Sequence, residues 1–190
     1  CQMCHCNKPI NPRSRGCASL HFEQLSTLTL LQQTANHLGL IIPDPNEREP
    51  DVRAGQKQVA KTAFKGNESI LKSKNLFLKM SDPEICCKMK VLQEMMETFN
   101  DDDKILLFSY SVKLLDLLEA VVKGWAISYC RLDGKTNKKD RLKLTDEFNT
   151  NHALKIFLIS TRAGGVGLNI TGANKVVIFD PNWNPAHDLQ

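Results

Sequence analysis

From Lys104 to Phe179 the chain alternates between two rhythms of apolar residues. Lys104-Ile105-Leu106-Leu107-Phe108 is a short continuous apolar run, which predicts a buried strand. Val112 to Val122 repeats apolar residues at helical spacing, with Gly124 as its stop. Trp125 to Cys130 predicts a second strand, and Thr136 is positioned to cap a helix through Phe148 whose core face includes Leu142, Thr145 and Phe148. Leu154–Ile159 and Lys175–Phe179 predict two more strands. Upstream, Asp82 as N-cap and Pro83 at the first helical position predict a helix with Ile85, Met89, Leu92, Met96 and Phe99 along one stripe.

The N-terminal part reads differently. Leu25, Leu28, Leu31, Ala35 and Leu38 have helical spacing within 20–40. Residues 43–75, with Pro43, Pro45, Pro50 and many charges, predict a linker or insertion with little packed core. Residues 1–18 read as loop. The division expected is 1–80, a Cys-rich head, helix and basic linker, and 81–190, an α/β domain. Strands alternating with helices imply βαβ units and a mostly parallel sheet.

Composition narrows the class. The chain has 190 residues, 42% hydrophobic and 24% charged, as a water-soluble globular domain requires. No apolar run approaches the roughly 20 residues that span a bilayer, so no membrane partner is expected. Residues 1–80 carry 11 Lys+Arg against 6 Asp+Glu, and residues 81–190 carry 14 against 15. The basic excess therefore lies outside the better-patterned half. Cys1, Cys4, Cys17 and His21 have spacing that suits zinc; alternatively the cysteines are free thiols in a reducing compartment. The chain opens on Cys1 and stops at Gln190 within a helix start, and is expected to be a segment of a longer protein.

The chemistry is carried by loops after strands. In a parallel sheet the strand C-termini share one edge, where ligands bind. Four rich loops follow the expected strands: Ser109-Tyr110-Ser111, Arg131-Leu132-Asp133-Gly134-Lys135-Thr136, Ser160 through Asn169, and Asp180-Pro181-Asn182-Trp183-Asn184-Pro185. Hydroxyls, amides, cations and glycine N–H groups on one edge suit a phosphate-rich ligand. A phosphate-cradling G-x-x-x-x-G-K-[ST] loop is absent from the sequence, so these residues supply at most half of a nucleotide site.

Three motifs in order, Arg131-Leu132-Asp133-Gly134-x-Thr136, Ser160-Thr161-Arg162-Ala163-Gly164-Gly165-Val166-Gly167-Leu168-Asn169 and Phe179-Asp180-Pro181-Asn182-Trp183-Asn184-Pro185-Ala186-x-Asp188-Leu189-Gln190, resemble the second RecA-like lobe of Swi/Snf-type ATPases. Leu31 to His37 resembles the element joining the two lobes, with Leu38 where that family usually has Pro. Ser81-Asp82-Pro83 and Lys88 to Gln93 resemble the excision-repair branch. The resemblance implies a RecA-like helicase C-terminal lobe with a parallel sheet, preceded by a helical and irregular interlobe segment. It implies that Ser160, Thr161, Arg162, Arg131 and Gly134 touch a DNA backbone. It implies that Gly165, Gly167, Asn169 and Gln190 face a nucleotide, and that Trp183 and Asp188 couple the two. ATP and Mg²⁺ would be shared with a first lobe, and double-stranded DNA and repair or chromatin proteins would be the partners, in the nucleus. The implied arginine fingers fall beyond Gln190, so residues 1–190 alone are expected not to turn over ATP. The alternative is a non-catalytic module that binds DNA or protein.

Overall fold

The computed structural model describes residues 27–43, 49–73, 76–84, 86–164 and 167–181. Its centre is a four-stranded sheet: β1 (Ile105–Ser109), β2 (Tyr129–Leu132), β3 (Ile156–Ser160) and β4 (Lys175–Asp180). All pairings are parallel and the order is β2-β3-β1-β4. The register sets Leu107 of β1 beside Leu158 of β3 and Val177 of β4. Every residue of β3 is buried, as expected of a parallel strand covered on both faces.

The two-residue period divides the side chains between two cores. Ile105, Leu107, Ile156 and Leu158 face α5 (Val112–Gly124) and α4 (Cys87–Thr98), which contribute Leu114, Leu115, Leu118, Met89 and Leu92. Leu106, Cys130, Leu132, Phe157 and Ile159 form the opposite core with Phe148 of α6 (Lys138–Thr150). Phe148 and Phe157 are fully buried, their ring centres 5.0 Å apart. α5 and α6 therefore cover opposite faces, and the strand ends are left open for the site.

A third, smaller core changes the picture of residues 43–75. Pro50–Ala63 forms helix α2, and Ile41, Ile42, Phe64, Leu76 and Met80 pack together, the last two from α3 (Leu76–Met80). The expected linker is thus largely helical. Pro50 occupies the start of a helix, where its missing N–H costs nothing, rather than interrupting one. The helix expected at 20–40 is described from 27 to 36 (α1), followed by a 3₁₀ turn, Leu38–Ile41.

Smaller corrections follow the same logic. Asp82 heads a turn, its Oδ1 accepting from Glu84 N at 3.0 Å, and α4 starts at Cys87 because Cys86 is extended. Asn137, not Thr136, precedes α6. Leu142 is 65% exposed, because the buried arc of α6 runs through Leu144, Thr145 and Phe148, and Leu142 falls outside it. After α5 the left-handed residue is Ala126 (φ 57°), not Gly124.

His37 ties the 3₁₀ turn to the end of α3 within the small core. Its ring is 1% exposed; Nδ1 accepts from Gly39 N at 2.9 Å, so Nε2 carries the hydrogen and donates to Ser81 Oγ at 3.2 Å. Burial lowers its pKa from 6.5 to about 4, against a smaller opposing pull from the Met80 backbone. The folded chain therefore holds His37 neutral while the unfolded chain protonates it. The resulting stability is complete above pH 6.5 and is lost as pH falls towards 4, by about 3 kcal/mol. Urea midpoints measured from pH 7 to pH 4 should fall more steeply in the wild type than in His37→Gln.

Candidate nucleic-acid and nucleotide interface

The four strand exits meet at one edge. A register shift between Phe108 and Ser109 brings Asp180, at the end of β4, opposite Ser109. Such an extra residue re-aims a side chain. Asp180, 4% exposed, accepts from Tyr110 N at 2.9 Å and Ser111 N at 3.2 Å. Burial raises its pKa, and the Ser109 hydroxyl, the two backbone N–H groups and Lys88 only partly offset this. Ser111 then caps α5, its Oγ accepting from Leu114 N. One carboxylate thus locks the turn after β1 to the exit of β4.

Lys88 of α4 donates to Asn36 Oδ1 at 2.5 Å and to the Phe179 carbonyl at 3.3 Å, pinning α1 to the same exit. Gln32, Asn36, Lys88, Tyr110 and Asp180 line a cleft of about 240 Å³ there.

At the second exit, Arg131 lies within β2 rather than in the loop. Its guanidinium pairs with Asp116 at 2.7 Å, Glu119 at 2.5 Å and Asp133 at 2.9 Å. Burial pushes Glu119 up, but hydrogen bonds from Lys123, Tyr129 and Arg131 outweigh it and hold the carboxyl at about 2. Three carboxylates therefore surround the Arg131 charge. Its evident work is to hold α5 and the following loop to β2. That loop closes on itself: Asp133 Oδ1 accepts from Lys135 N at 2.8 Å, and Thr136 Oγ1 accepts from Asp133 N at 3.1 Å. Gly134 and Lys135 stand exposed at its tip.

At the third exit Ser160 is buried, Thr161 is half-buried and Arg162 is exposed. Thr161 and Arg162 begin the short α7 (Thr161–Gly164). Arg162 Nη2 donates to Tyr110 Oη at 2.6 Å, and the guanidinium lies 4.6 Å from the tyrosine ring centre. A cation is thereby held across the mouth between β1 and β3 with its outer side in solvent. Gly167 has φ +54°, which an L side chain rarely adopts, and open space surrounds it. Asn169 is exposed, and its carbonyl accepts from Asn149 Nδ2 at 2.9 Å. Asn149 Oδ1 also accepts from Gly172 N at 2.8 Å, and a Cβ on Gly172 would lie 2.9 Å from Asn149 Cα, so the backbone itself fixes this segment.

Gly165, Trp183, Asp188, Gln190 and the suggested zinc set Cys1, Cys4, Cys17 and His21 lie outside the described residues. Among the described residues no three His, Cys, Asp or Glu side chains are grouped to hold a metal. No described helix is long and apolar enough to cross a membrane. The sequence reading missed Arg141, Asn149 and Lys88. Arg141 and Asn149 work through backbone groups, which carry no mark in a sequence motif, and Lys88 reaches Asn36 and the Phe179 carbonyl, both far from it in the chain.

Parallel strands delivering glycine-, hydroxyl- and arginine-bearing loops to a single edge define a RecA-like lobe. The family described as the helicase conserved C-terminal domain matches residues 87–190, and the chain belongs to that family. It is 45% identical over 180 residues to Switch 2 of Arabidopsis thaliana, covering 92% of this chain and 21% of that protein. It is 44% identical over 169 residues to DNA excision repair protein ERCC-6-like 2 of Mus musculus, covering 87% of this chain and 11% of that protein. Other relatives are named as chromatin remodelling and DNA repair proteins. The chain thus spans about a fifth or less of the length of these two relatives. Among solved structures, the C-terminal part of the Fun30 ATPase domain superposes with a TM-score of 0.63 at 24% identity, over 86% of this chain and 60% of that one. The fold is therefore that of the C-terminal lobe of SWI2/SNF2-type ATPases, as the motifs led one to expect.

Proposed function

We propose that this chain supplies the DNA-facing and nucleotide-facing second lobe of an ATP-driven translocase on double-stranded DNA, acting in nuclear DNA repair or chromatin remodelling. The observation that carries this reading is the exposed Arg162, held over Tyr110 at the shared edge between β1 and β3. A fixed, exposed cation suits the phosphate backbone, which is contacted without regard to sequence. Arg162, Thr161 and the Gly134 tip would grip phosphates. Ser160 and Arg131 would hold the two loops from beneath.

The residues fit ATP as half of a site. Gly167 leaves its backbone open to a close ligand and Asn169 stands exposed two residues on, and Gly165 and Gln190 would also contact the nucleotide in this reading. Bound between two lobes, ATP would supply the free energy of phosphoryl transfer. In this reading Mg²⁺ would be shared with the first lobe, as ATP would. Trp183 and Asp188 would link the nucleotide face to the DNA face. The names of the relatives support repair and chromatin proteins as further partners.

The test is ATP hydrolysis by the two-lobe protein with and without duplex DNA. Stimulation by duplex DNA is expected. Arg162→Glu should raise the duplex concentration for half-maximal stimulation roughly tenfold and reduce the salt dependence of binding by about one phosphate contact. Absence of stimulation in the wild type would leave a non-catalytic binding module.

A further inference from the structure

Arg141, on the first turn of α6, is half-buried and makes three hydrogen bonds, all to backbone carbonyls. Nε donates to Thr136 O at 3.0 Å and Nη2 to Asp133 O at 3.5 Å, both in the loop after β2. Nη1 donates to Ala163 O at 3.2 Å, in α7 after β3. One side chain therefore bridges the two loops assigned above to the DNA backbone. We propose that Arg141 is a positioning residue that holds these loops in a single relative register, so that they meet a duplex as one surface. This inference rests on the translocase reading of the same edge.

The physical case is specific to arginine. α7 has four residues, so its carbonyls have almost no intrahelical partner and need an outside donor. The guanidinium offers five N–H groups in a rigid plane and can serve both loops at once. Lysine presents one compact charge on a flexible stem and cannot span both. The two loops have no other described direct tie. Arg131 braces the first to α5, and Tyr110 braces the second to the turn after β1. Gripping a rigid polyanion at two points requires the points to hold their spacing to about half an ångström.

A merely structural cap would lower thermal stability and affect the whole molecule. A register brace should affect duplex engagement selectively. The experiment uses the two-lobe protein with Arg141→Ala, Arg141→Lys, Arg162→Glu and Asn149→Ala. Asn149 braces the far end of the same helix, so its variant reports on damage to α6 in general. Half-saturating duplex concentration and thermal midpoint are read for each.

Arg141→Ala is expected to raise the half-saturating duplex concentration about tenfold, a loss of the size that a small misplacement of binding groups produces. Arg141→Lys should behave like Arg141→Ala although it keeps the charge, and Asn149→Ala should leave duplex engagement within about twofold of wild type. Full rescue by lysine would show that Arg141 acts as a plain charge and would overturn the proposal. So would equal losses in Arg141→Ala and Asn149→Ala, which mark general damage to the helix. An unchanged Arg141→Ala beside an impaired Arg162→Glu overturns the brace alone. A wild type that ignores duplex DNA overturns the translocase reading and this proposal together.

Discussion

Asp180→Ala is expected to cost about 3–5 kcal/mol of folding stability, whereas Asp180→Asn should cost only about 1–2 kcal/mol. The difference lies in what each substitution leaves behind. Alanine strands the N–H groups of Tyr110 and Ser111, which point at the buried end of β4 from a part-buried turn, together with the charge of Lys88 nearby. Each orphaned buried donor costs about 1–3 kcal/mol. Asparagine keeps one acceptor in place. It also removes a negative charge whose burial is already unfavourable, as the raised pKa of Asp180 indicates. Urea denaturation of the wild type and both variants at pH 7 measures the pair. Equal losses for alanine and asparagine would show that the charge, rather than the accepted hydrogen bonds, is what holds the turn.

Phe157→Ala should cost about 3–5 kcal/mol, the usual range for a large aromatic removed from a core. Phe157 is fully buried on β3, the strand flanked by both β1 and β2, and its ring packs 5.0 Å from that of Phe148. Its loss opens a cavity bounded by Leu106, Cys130, Leu132 and Ile159 on a sheet that cannot collapse inward. Leu142→Ala on the neighbouring helix removes an apolar side chain that is 65% exposed, and should change stability by less than about 0.5 kcal/mol. The two variants in one denaturation series distinguish core from surface on α6's side of the sheet. A small loss for Phe157→Ala would mean that this face is loosely packed.

β3 was legible because a parallel strand covered on both faces reads as an unbroken apolar run, as Ile156 to Ile159 does, whereas the second strand, expected at Trp125 to Cys130, begins only at Tyr129, after a turn through Trp125 and Ala126 that follows α5. The sheet edge bearing the motifs was legible for the same reason, since the loops follow the runs. α2 was not. It buries little beyond Ala60, so its apolar stripe is thin, limited to Val52, Val59, Ala60 and Ala63, and its leading proline resembles a break. Leu142 was misplaced by one position around the helix, within the tolerance of a three-residue step. The setting of Arg131 was hidden because Asp116 and Glu119 come from α5, which precedes β2 in the chain. Arg141 was hidden more deeply, because carbonyl oxygens are present at every residue and leave no signature.

The strand order has a further consequence for how the chain acquires its shape during synthesis. β1 leaves the ribosome first of the four strands, yet both of its neighbours, β3 and β4, lie far downstream, and β2 also pairs only with β3. No strand pair of the sheet can form until Ile156 to Ser160 has emerged. At roughly 5–20 residues per second, an apolar β1 spends several seconds with only the preceding and intervening helices to shelter it. Translation speed between β1 and β3 thus becomes a determinant of yield, and a holding chaperone that recognises Ile105 to Phe108 would act in that interval.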